Sequence, residues 1–289
     1  MKQNKHKKQF KFRDAILARQ KAITAQNRLK AITHKNLFNI NVPNCSACMI
    51  TWNEEEMLPY CLTFLNSISR IDEICIVDSF STDKTPQIVE DFKTKTKKKV
   101  NFLQRKFDNF TNQRNVCNSL ATKRWILYID ADETYTDNIN DLLAIIDSVD
   151  EINAVRIDTV VLFEDRKHFI DNDNTDPHIR IWRRGFANFQ GFVHESLVDQ
   201  IGRGLHCCND PDILNAATII PNLAMKHAQL LKSEKCLKEK GNRWDELNMI
   251  EESTKRGIKI HKDIWVEWKN GTYPLKELPQ EMWDITTSM

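Results

Sequence analysis

Between residues 45 and 129 the chain alternates short, wholly apolar runs with segments that have helical spacing. A strand that is apolar on both faces must be covered on both sides, which favours a parallel sheet with helices packed against it. We predict four strands here, at residues 45–51, 73–78, 99–103 and 125–129. Helices are predicted over residues 54–67, from Thr85-Pro86 onwards, and over residues 111–122. The sequence therefore predicts an α/β fold with a Rossmann-like, mostly parallel sheet flanked by helices.

The regular alternation ends after Asp150. Longer strands or hairpins are predicted at residues 154–163, 178–183 and 189–198, and residues 223–257 have helical spacing. A weak alanine-rich helical stripe also covers residues 13–33. We divide the chain into a basic helical N-terminal extension (1–41), a main domain (42–225) and a helical, aromatic C-terminal extension (226–289).

Charge is balanced over the chain, with 42 Lys and Arg against 40 Asp and Glu, but residues 1–40 hold eleven basic residues and one acidic residue. This segment can contact acidic lipid or a protein partner, and it can equally be a solvated tail. We expect no nucleic-acid partner. The sequence has no membrane-span-length apolar run, no apolar signal segment and no regular cysteine framework. We expect a cytoplasmic protein, able to lie at the periphery of a membrane through its basic segment.

Two aspartates follow the fourth predicted strand, in the phrase Asp130-Ala-Asp132-Glu133. Ligands bind open α/β sheets at the carboxyl ends of the strands, which is where these side chains leave the sheet. Carboxylate oxygens suit Mg²⁺ or Mn²⁺, and such a cation can neutralise a departing diphosphate. The same phrase can also be an acidic turn that caps the next helix, so the pattern alone leaves both interpretations open.

The phrase also fits a different class of enzyme. Haloacid-dehalogenase-type phosphatases carry Asp-x-Asp-x-Thr after a strand, which Asp130 to Thr134 match, and there the first aspartate is the nucleophile. That motif normally ends the first strand of its domain, whereas three strand-helix units precede it here. No later apolar strand ends in the carboxylate pair that such an enzyme needs. A phosphatase is therefore the second hypothesis.

Four blocks of residues in order carry a family resemblance. They are the segments at residues 48–55, 74–85, 112–115 and 130–133. Together they resemble the inverting family-2 glycosyltransferases of the GT-A fold, nearest the subgroup of lipopolysaccharide-core glucosyltransferases. The resemblance implies metal-dependent transfer of a sugar from a nucleotide-diphosphate donor, UDP-linked above all, to a glycan, lipid-linked or protein acceptor.

The resemblance also implies how the donor is held. Thr51 and Glu54 would line the nucleotide pocket, and Asp78 would accept a hydrogen bond from the base. Arg114 would lie near the phosphates, where a planar, permanently charged guanidinium is well suited. Asp78 can instead serve the turn that follows its strand.

For the metal and the acceptor, the resemblance implies a second group of residues. Asp132 would ligate Mn²⁺ or Mg²⁺, and Asp130 would hold the ribose or a metal-bound water. Glu195 would be the base that deprotonates the acceptor, because inverting attack needs a base beside the incoming hydroxyl. His194 could ligate the metal, and Arg180 could steady phosphates or an anionic acceptor.

Two positions depart from the family pattern. Phe80 and Lys84 stand where many relatives have glycine, and the chain has only seven glycines in all, so this loop must turn without them. These departures bear on the conformation of the loop more than on the chemistry.

A third hypothesis is a glycosyltransferase-like scaffold without activity that serves as an interaction protein, and the basic N-terminal helix favours some partner or surface.

Overall fold

The computed structural model describes residues 44–136, 138–162, 168–170, 178–191, 195–205, 213–216, 223–228, 231–246 and 275–277. The predicted basic extension and the aromatic tail beyond residue 246 lie outside these residues, apart from one short strand near the end. So does His194. In the part of the chain that is described, no helix is long and apolar enough to cross a membrane.

The helices and strands alternate as predicted through the first half. The helices are α1 (Leu58–Ser67), α2 (Thr85–Lys95), α3 (Phe110–Leu120), α4 (Ile139–Asp147) and α5 (Glu234–Glu246). The first seven strands are β1 (Cys45–Thr51), β2 (Ile71–Asp78), β3 (Lys99–Gln104), β4 (Trp125–Tyr128), β5 (Glu133–Tyr135), β6 (Ala154–Val161) and β7 (His168–Ile170). The remaining strands are β8 (His178–Arg183), β9 (Ala187–Gln190), β10 (Ser196–Asp199), β11 (Ile213–Asn215), β12 (Ala224–His227) and β13 (Leu275–Glu277).

Nine strands form one mixed sheet, in the order β3-β2-β1-β4-β8-β6-β12-β5, with β11 also paired to β6. Strands β1 to β4 are parallel to one another. The sheet continues through β8, which runs antiparallel to both β4 and β6. The predicted α/β class is confirmed, and the parallel half places the ends of β1, β2, β3 and β4 at one edge.

Apolar side chains cover both faces of the sheet. Residues alternate between the two faces of a strand, so Ala47 and Met49 of β1 join one buried cluster with Leu58 of α1. Cys48, between them, joins a second cluster with Trp182 of β8. Burial of each large apolar side chain stabilises the folded protein by roughly 1.5–3 kcal/mol relative to leaving it exposed. The sheet is therefore a stable support for the loops at its edge.

One predicted element differs from the structure. The helical prediction for residues 223–257 is wrong at its start, because residues 224–227 form β12 and the helix begins only at Glu234. The strand or hairpin predicted over residues 189–198 is a pair of antiparallel strands, β9 and β10. No helix was predicted at α4. The predicted domain boundaries stay predictions, although β12 runs across the second of them.

Candidate active site

The carboxyl ends of three parallel strands place polar side chains in one row. Thr51, Asp78 and Gln104 occupy matching register positions on β1, β2 and β3. The fully buried Asp78 accepts hydrogen bonds from Thr51 Oγ1 at 3.0 Å and from Gln104 Nε2 at 2.9 Å. It also accepts from the backbone N–H of Ser81 at 2.9 Å and from Ser81 Oγ at 2.5 Å. The carboxylate thereby fixes the loop that follows β2.

This loop turns without glycine by placing Phe80 in the left-handed region, at φ 56°. A non-glycine residue there carries strain of roughly 1–2 kcal/mol, which surrounding bonds must offset. Asn53, at φ 50° in the loop after β1, provides some of them. Its backbone N–H donates to Ser81 Oγ at 2.8 Å, and its Oδ1 accepts from the N–H of Thr82 at 2.9 Å. The two loops are thus tied together, while the Phe80 ring stays 55% exposed.

Arg114 of α3 joins several of the predicted residues. Its Nη1 lies 3.2 Å from Asp130 Oδ1, and its Nε contacts Glu195 Oε1. Its guanidinium packs over the Tyr128 ring at 4.4 Å, a cation–π contact that fixes its plane. Arg180 of β8 approaches the other oxygen of Asp130 at 3.8 Å. Asp130 therefore lies between two permanent positive charges, and Glu195 is brought to the same group.

Glu133 secures the turn between the two aspartates. It is almost fully buried, Arg180 Nη2 contacts its Oε1 at 2.8 Å, and the backbone N–H of Asp130 donates to its Oε2 at 2.9 Å. Burial raises the pKa of Glu133, and Arg180 offsets this only in part. The sequence analysis noted Glu133 as part of the acidic phrase but gave it no role of its own.

Asp132 and Glu54 share a buried lysine that the sequence analysis did not single out. Lys232 Nζ lies 2.5 Å from Asp132 Oδ2 and 3.1 Å from Glu54 Oε2, and its side chain is 1% exposed. Lys240 of α5 also contacts Glu54. Burial opposes ionisation of Asp132, yet Lys232 and His227 together hold the pKa of this carboxyl well below its usual range.

His227, to which the family resemblance assigned no role, lies beside Asp132. Strand β12 pairs antiparallel with β5, with His227 opposite Glu133, and this brings His227 Nε2 to 3.5 Å from Asp132 Oδ2. Burial lowers the pKa of His227, but Asp132 outweighs it and the net shift is upward. The segment was predicted as helix, so only the strand pairing reveals this contact.

A divalent cation would find two protein ligands here rather than a complete cage. No group of three His, Cys, Asp or Glu side chains among the described residues is arranged to hold a metal. Asp132 offers a carboxylate, the ligand type that suits Mg²⁺ or Mn²⁺, and His227 adds an imidazole nitrogen beside it. Cations of this kind commonly take one or two protein ligands and complete their shell with substrate phosphates and water. The residues therefore fit a cation that binds together with a diphosphate.

All the predicted site residues that the structure describes lie at or near this edge of the sheet. They are Thr51, Glu54, Asp78, Arg114, Asp130, Asp132, Arg180 and Glu195. Asp130 and Asp132 are linked to the rest through Arg114, Arg180 and Lys232. Within the described residues, the combination is an acidic turn at the end of a parallel sheet, with arginines on one side and a histidine and a lysine on the other.

Such a sheet edge is typical of enzymes that bind nucleotides. Residues 46–201 match the family model described as glycosyl transferase family 2, and the chain belongs to that family. The family membership confirms the predicted enzyme class and the GT-A-type fold. It also removes the phosphatase hypothesis, because the Asp-x-Asp phrase lies inside the matched glycosyltransferase domain.

The chain is similar to two glycosyltransferases over just over half its length. It is 30% identical to the SPbeta prophage-derived glycosyltransferase SunS of Bacillus subtilis over 159 residues, 54% of this chain and 35% of the relative. It is 28% identical to the lipopolysaccharide core biosynthesis glycosyltransferase LpsC of Rhizobium meliloti over 158 residues, 54% of this chain and 57% of the relative. The matched region is thus at most 57% of either relative.

Among solved structures, the chain is similar to S. aureus TarS 1–349 in complex with UDP-GlcNAc. The identity is 26% and the TM-score 0.36, with 41% of this chain and 35% of that chain covered.

Proposed function

We propose that this glycosyltransferase moves a sugar from a UDP-sugar to a glycan, lipid-linked or protein acceptor, by a single displacement with inversion that depends on Mn²⁺ or Mg²⁺. One observation carries the proposal. The Asp132–His227 pair and the Arg114–Asp130–Arg180 cluster meet at one turn of the chain, which carries both Asp130 and Asp132, so cation ligands and fixed positive charges adjoin one another. A departing diphosphate requires both.

The donor nucleotide would bind over the row formed by Thr51, Asp78 and Gln104. Asp78 already accepts four hydrogen bonds, two of them from the side chains of Thr51 and Gln104. Those two side chains can rotate, so either could give way to the imino group of a base. Glu54 closes the pocket through its contacts with Lys232 and Lys240.

The leaving diphosphate would meet the charges of the acidic turn. Asp132 and His227 would hold the divalent cation, which supplies neutralising charge to the diphosphate when bound. Arg114 and Arg180 add permanent positive charge beside it. Asp130, held between the two arginines, would position them and contact the ribose or a water of the cation.

Glu195 would take the proton from the acceptor hydroxyl. Its carboxylate contacts Arg114 and is largely buried, with 11% of the side chain exposed, so it lies at the border between the donor charges and solvent. Inverting attack places the incoming hydroxyl opposite the leaving group, and a base at that border can serve it. His194, adjacent along the chain, stays a predicted contact to the metal.

The names of relatives support an acceptor of glycan or lipid-linked type. LpsC is named for lipopolysaccharide core biosynthesis. Another relative, 32% identical over 109 residues, is the poly(ribitol-phosphate) beta-N-acetylglucosaminyltransferase TarS. We extend the same class of acceptor to this chain. A cytoplasmic location, with residues 1–40 touching a membrane surface or a protein partner, completes the proposal.

The test is donor binding and turnover with matched carboxylate variants. Calorimetric titration with a panel of nucleotide sugars, with and without Mn²⁺, should show cation-dependent binding of a UDP-sugar. Asp132→Asn should abolish that dependence and both donor hydrolysis and transfer. Glu195→Gln should bind the donor normally but lose turnover. Asp91→Asn, an exposed carboxylate on α2, is the control that should change nothing.

Each arm has an outcome that contradicts the proposal. Absence of cation-linked binding for every nucleotide sugar tested would remove the transferase mechanism. Turnover retained by Glu195→Gln would move the base to another residue.

A further inference from the structure

Lys232 is a deeply buried charge at the candidate active site, and the proposed mechanism gives it no part in the reaction. Taking an ammonium out of water is costly unless anionic partners surround it. Lys232 Nζ has two of them, Asp132 Oδ2 at 2.5 Å and Glu54 Oε2 at 3.1 Å. The side chain is 1% exposed, so water contributes almost nothing to its solvation.

The same oxygen of Asp132 faces both Lys232 and His227. Oδ2 lies 2.5 Å from Lys232 Nζ and 3.5 Å from His227 Nε2. A divalent cation ligated by Asp132 and His227 would have to take the position of the Lys232 ammonium. It would also need the negative charge of Asp132, which that ammonium now neutralises. An ammonium 2.5 Å from this oxygen and a divalent cation bound to the same oxygen would repel each other strongly.

Glu54 gives the displaced ammonium a second partner. Lys232 already contacts Glu54, so it can leave Asp132 and remain paired. Lys240 contacts Glu54 as well, and the two carboxylates and two ammonium groups together carry no net charge. The negative charges of Asp132 and Glu54 are therefore already neutralised before a divalent cation binds.

We propose that Lys232 is the resident counter-ion of Asp132 and competes with the divalent cation for that carboxylate. The proposal rests on the function above, in which Asp132 ligates the cation. Its consequence is that the free protein binds Mn²⁺ weakly, because binding must first break the Lys232–Asp132 pair. A diphosphate brings additional negative charge to the site, which makes displacement of the ammonium favourable only when the donor is present.

The test is Mn²⁺ affinity of the full chain without nucleotide, measured by calorimetry and by the paramagnetic resonance signal of free Mn²⁺. Lys232→Gln removes the charge but keeps a hydrogen-bond donor, and should tighten Mn²⁺ binding by at least about tenfold. Lys240→Gln removes an equal charge that contacts Glu54 rather than Asp132, and should tighten it by less than about threefold. Lys232→Arg keeps the charge and should bind Mn²⁺ as weakly as the unmodified protein.

Several results would overturn the inference. They are unchanged or weaker Mn²⁺ binding in Lys232→Gln, equal tightening in the Lys240→Gln control, and tightening in Lys232→Arg. If Lys232→Gln does not fold in EDTA, Mn²⁺ should restore its circular dichroism spectrum, and failure to do so counts against the inference. Titration of the unmodified protein with UDP in the presence of Mn²⁺ separates this inference from the proposed function. If UDP binding depends on the cation, the proposed function stands even when Lys232→Gln shows no effect.

Discussion

Glu73, at the start of β2, provides a quantitative prediction about stability. Its side chain is fully buried at the end of the sheet opposite the candidate active site, and five donors converge on its two oxygens. They are Ser46 Oγ at 2.5 Å, the Thr122 N–H at 2.7 Å, Thr122 Oγ1 and Lys99 Nζ at 2.9 Å, and Asn101 Nδ2 at 3.2 Å. The carboxylate thus joins three strands and the loop before β4.

The contribution of Glu73 to the stability of the fold follows from the pKa of its carboxyl group. Burial raises it, but the hydrogen bonds from Ser46, Thr122 and Lys99 outweigh burial and lower the pKa from 4.5 to about 2. Since the folded pKa is depressed, the stabilisation is complete above pH 4.5 and is lost as pH falls towards 2. The difference between the unfolded and the folded pKa corresponds to about 3 kcal/mol of stabilisation of the fold at neutral pH. About 2 kcal/mol of this stabilisation is lost by pH 3.

Glu73→Gln tests this value. The amide has one acceptor oxygen where the carboxylate has two, so whichever way it is turned some of the five donors lose their acceptor. Urea unfolding at pH 7 should show a loss of about 3 kcal/mol, and the gap between variant and unmodified protein should shrink to about 1 kcal/mol at pH 3. Glu90→Gln, which breaks an exposed pair with Lys93, should cost under about 0.5 kcal/mol. A gap that stays constant from pH 7 to pH 3 would refute the assignment of the stabilisation to the ionised carboxylate.

Two further predictions concern Arg114 and the loops that follow β1 and β2. Arg114→Lys should lower kcat for sugar transfer by about 100-fold, because an ammonium cannot reproduce the fork that meets both Asp130 and Glu195; steady-state kinetics measure it, and an unchanged kcat contradicts it. Phe80→Gly should raise the free energy of unfolding by about 0.5–1 kcal/mol by relieving the positive φ. Asn53→Gly should instead lower the free energy of unfolding, because glycine lacks the side chain that accepts the hydrogen bond from the neighbouring loop. Thermal melts that rank the two variants the other way would be contrary evidence.

The first half of the fold was predictable because its signals are local. Strands β1, β2 and β4 each contain a short apolar run, and turn residues such as Thr85-Pro86 mark where α2 begins. The position of the acidic turn at the sheet edge follows from the same pattern, since parallel strands end on one side. The helix α4 was not predicted because it has only nine residues, six of them apolar, and so short an apolar run is hard to tell from a buried strand.

The contacts across the active site were not predictable from local pattern. His227 and Lys232 reach Asp132 from almost a hundred residues further along the chain, through the pairing of β12 with β5. Strand β12 is only four residues long and reads equally well as the start of the helical stretch that follows. Long-range strand pairing decides between the two structures, and no short segment of sequence contains that information.

The position of β12 has a consequence for how the protein assembles. In the described residues, β5 pairs with no strand other than β12, which lies between β5 and β6. A nascent or truncated chain that stops near residue 220 can build β1 to β4, yet the acidic turn would have neither its strand partner nor His227 and Lys232. The acidic turn is therefore completed late, when residues from the last quarter of the chain pair with β5.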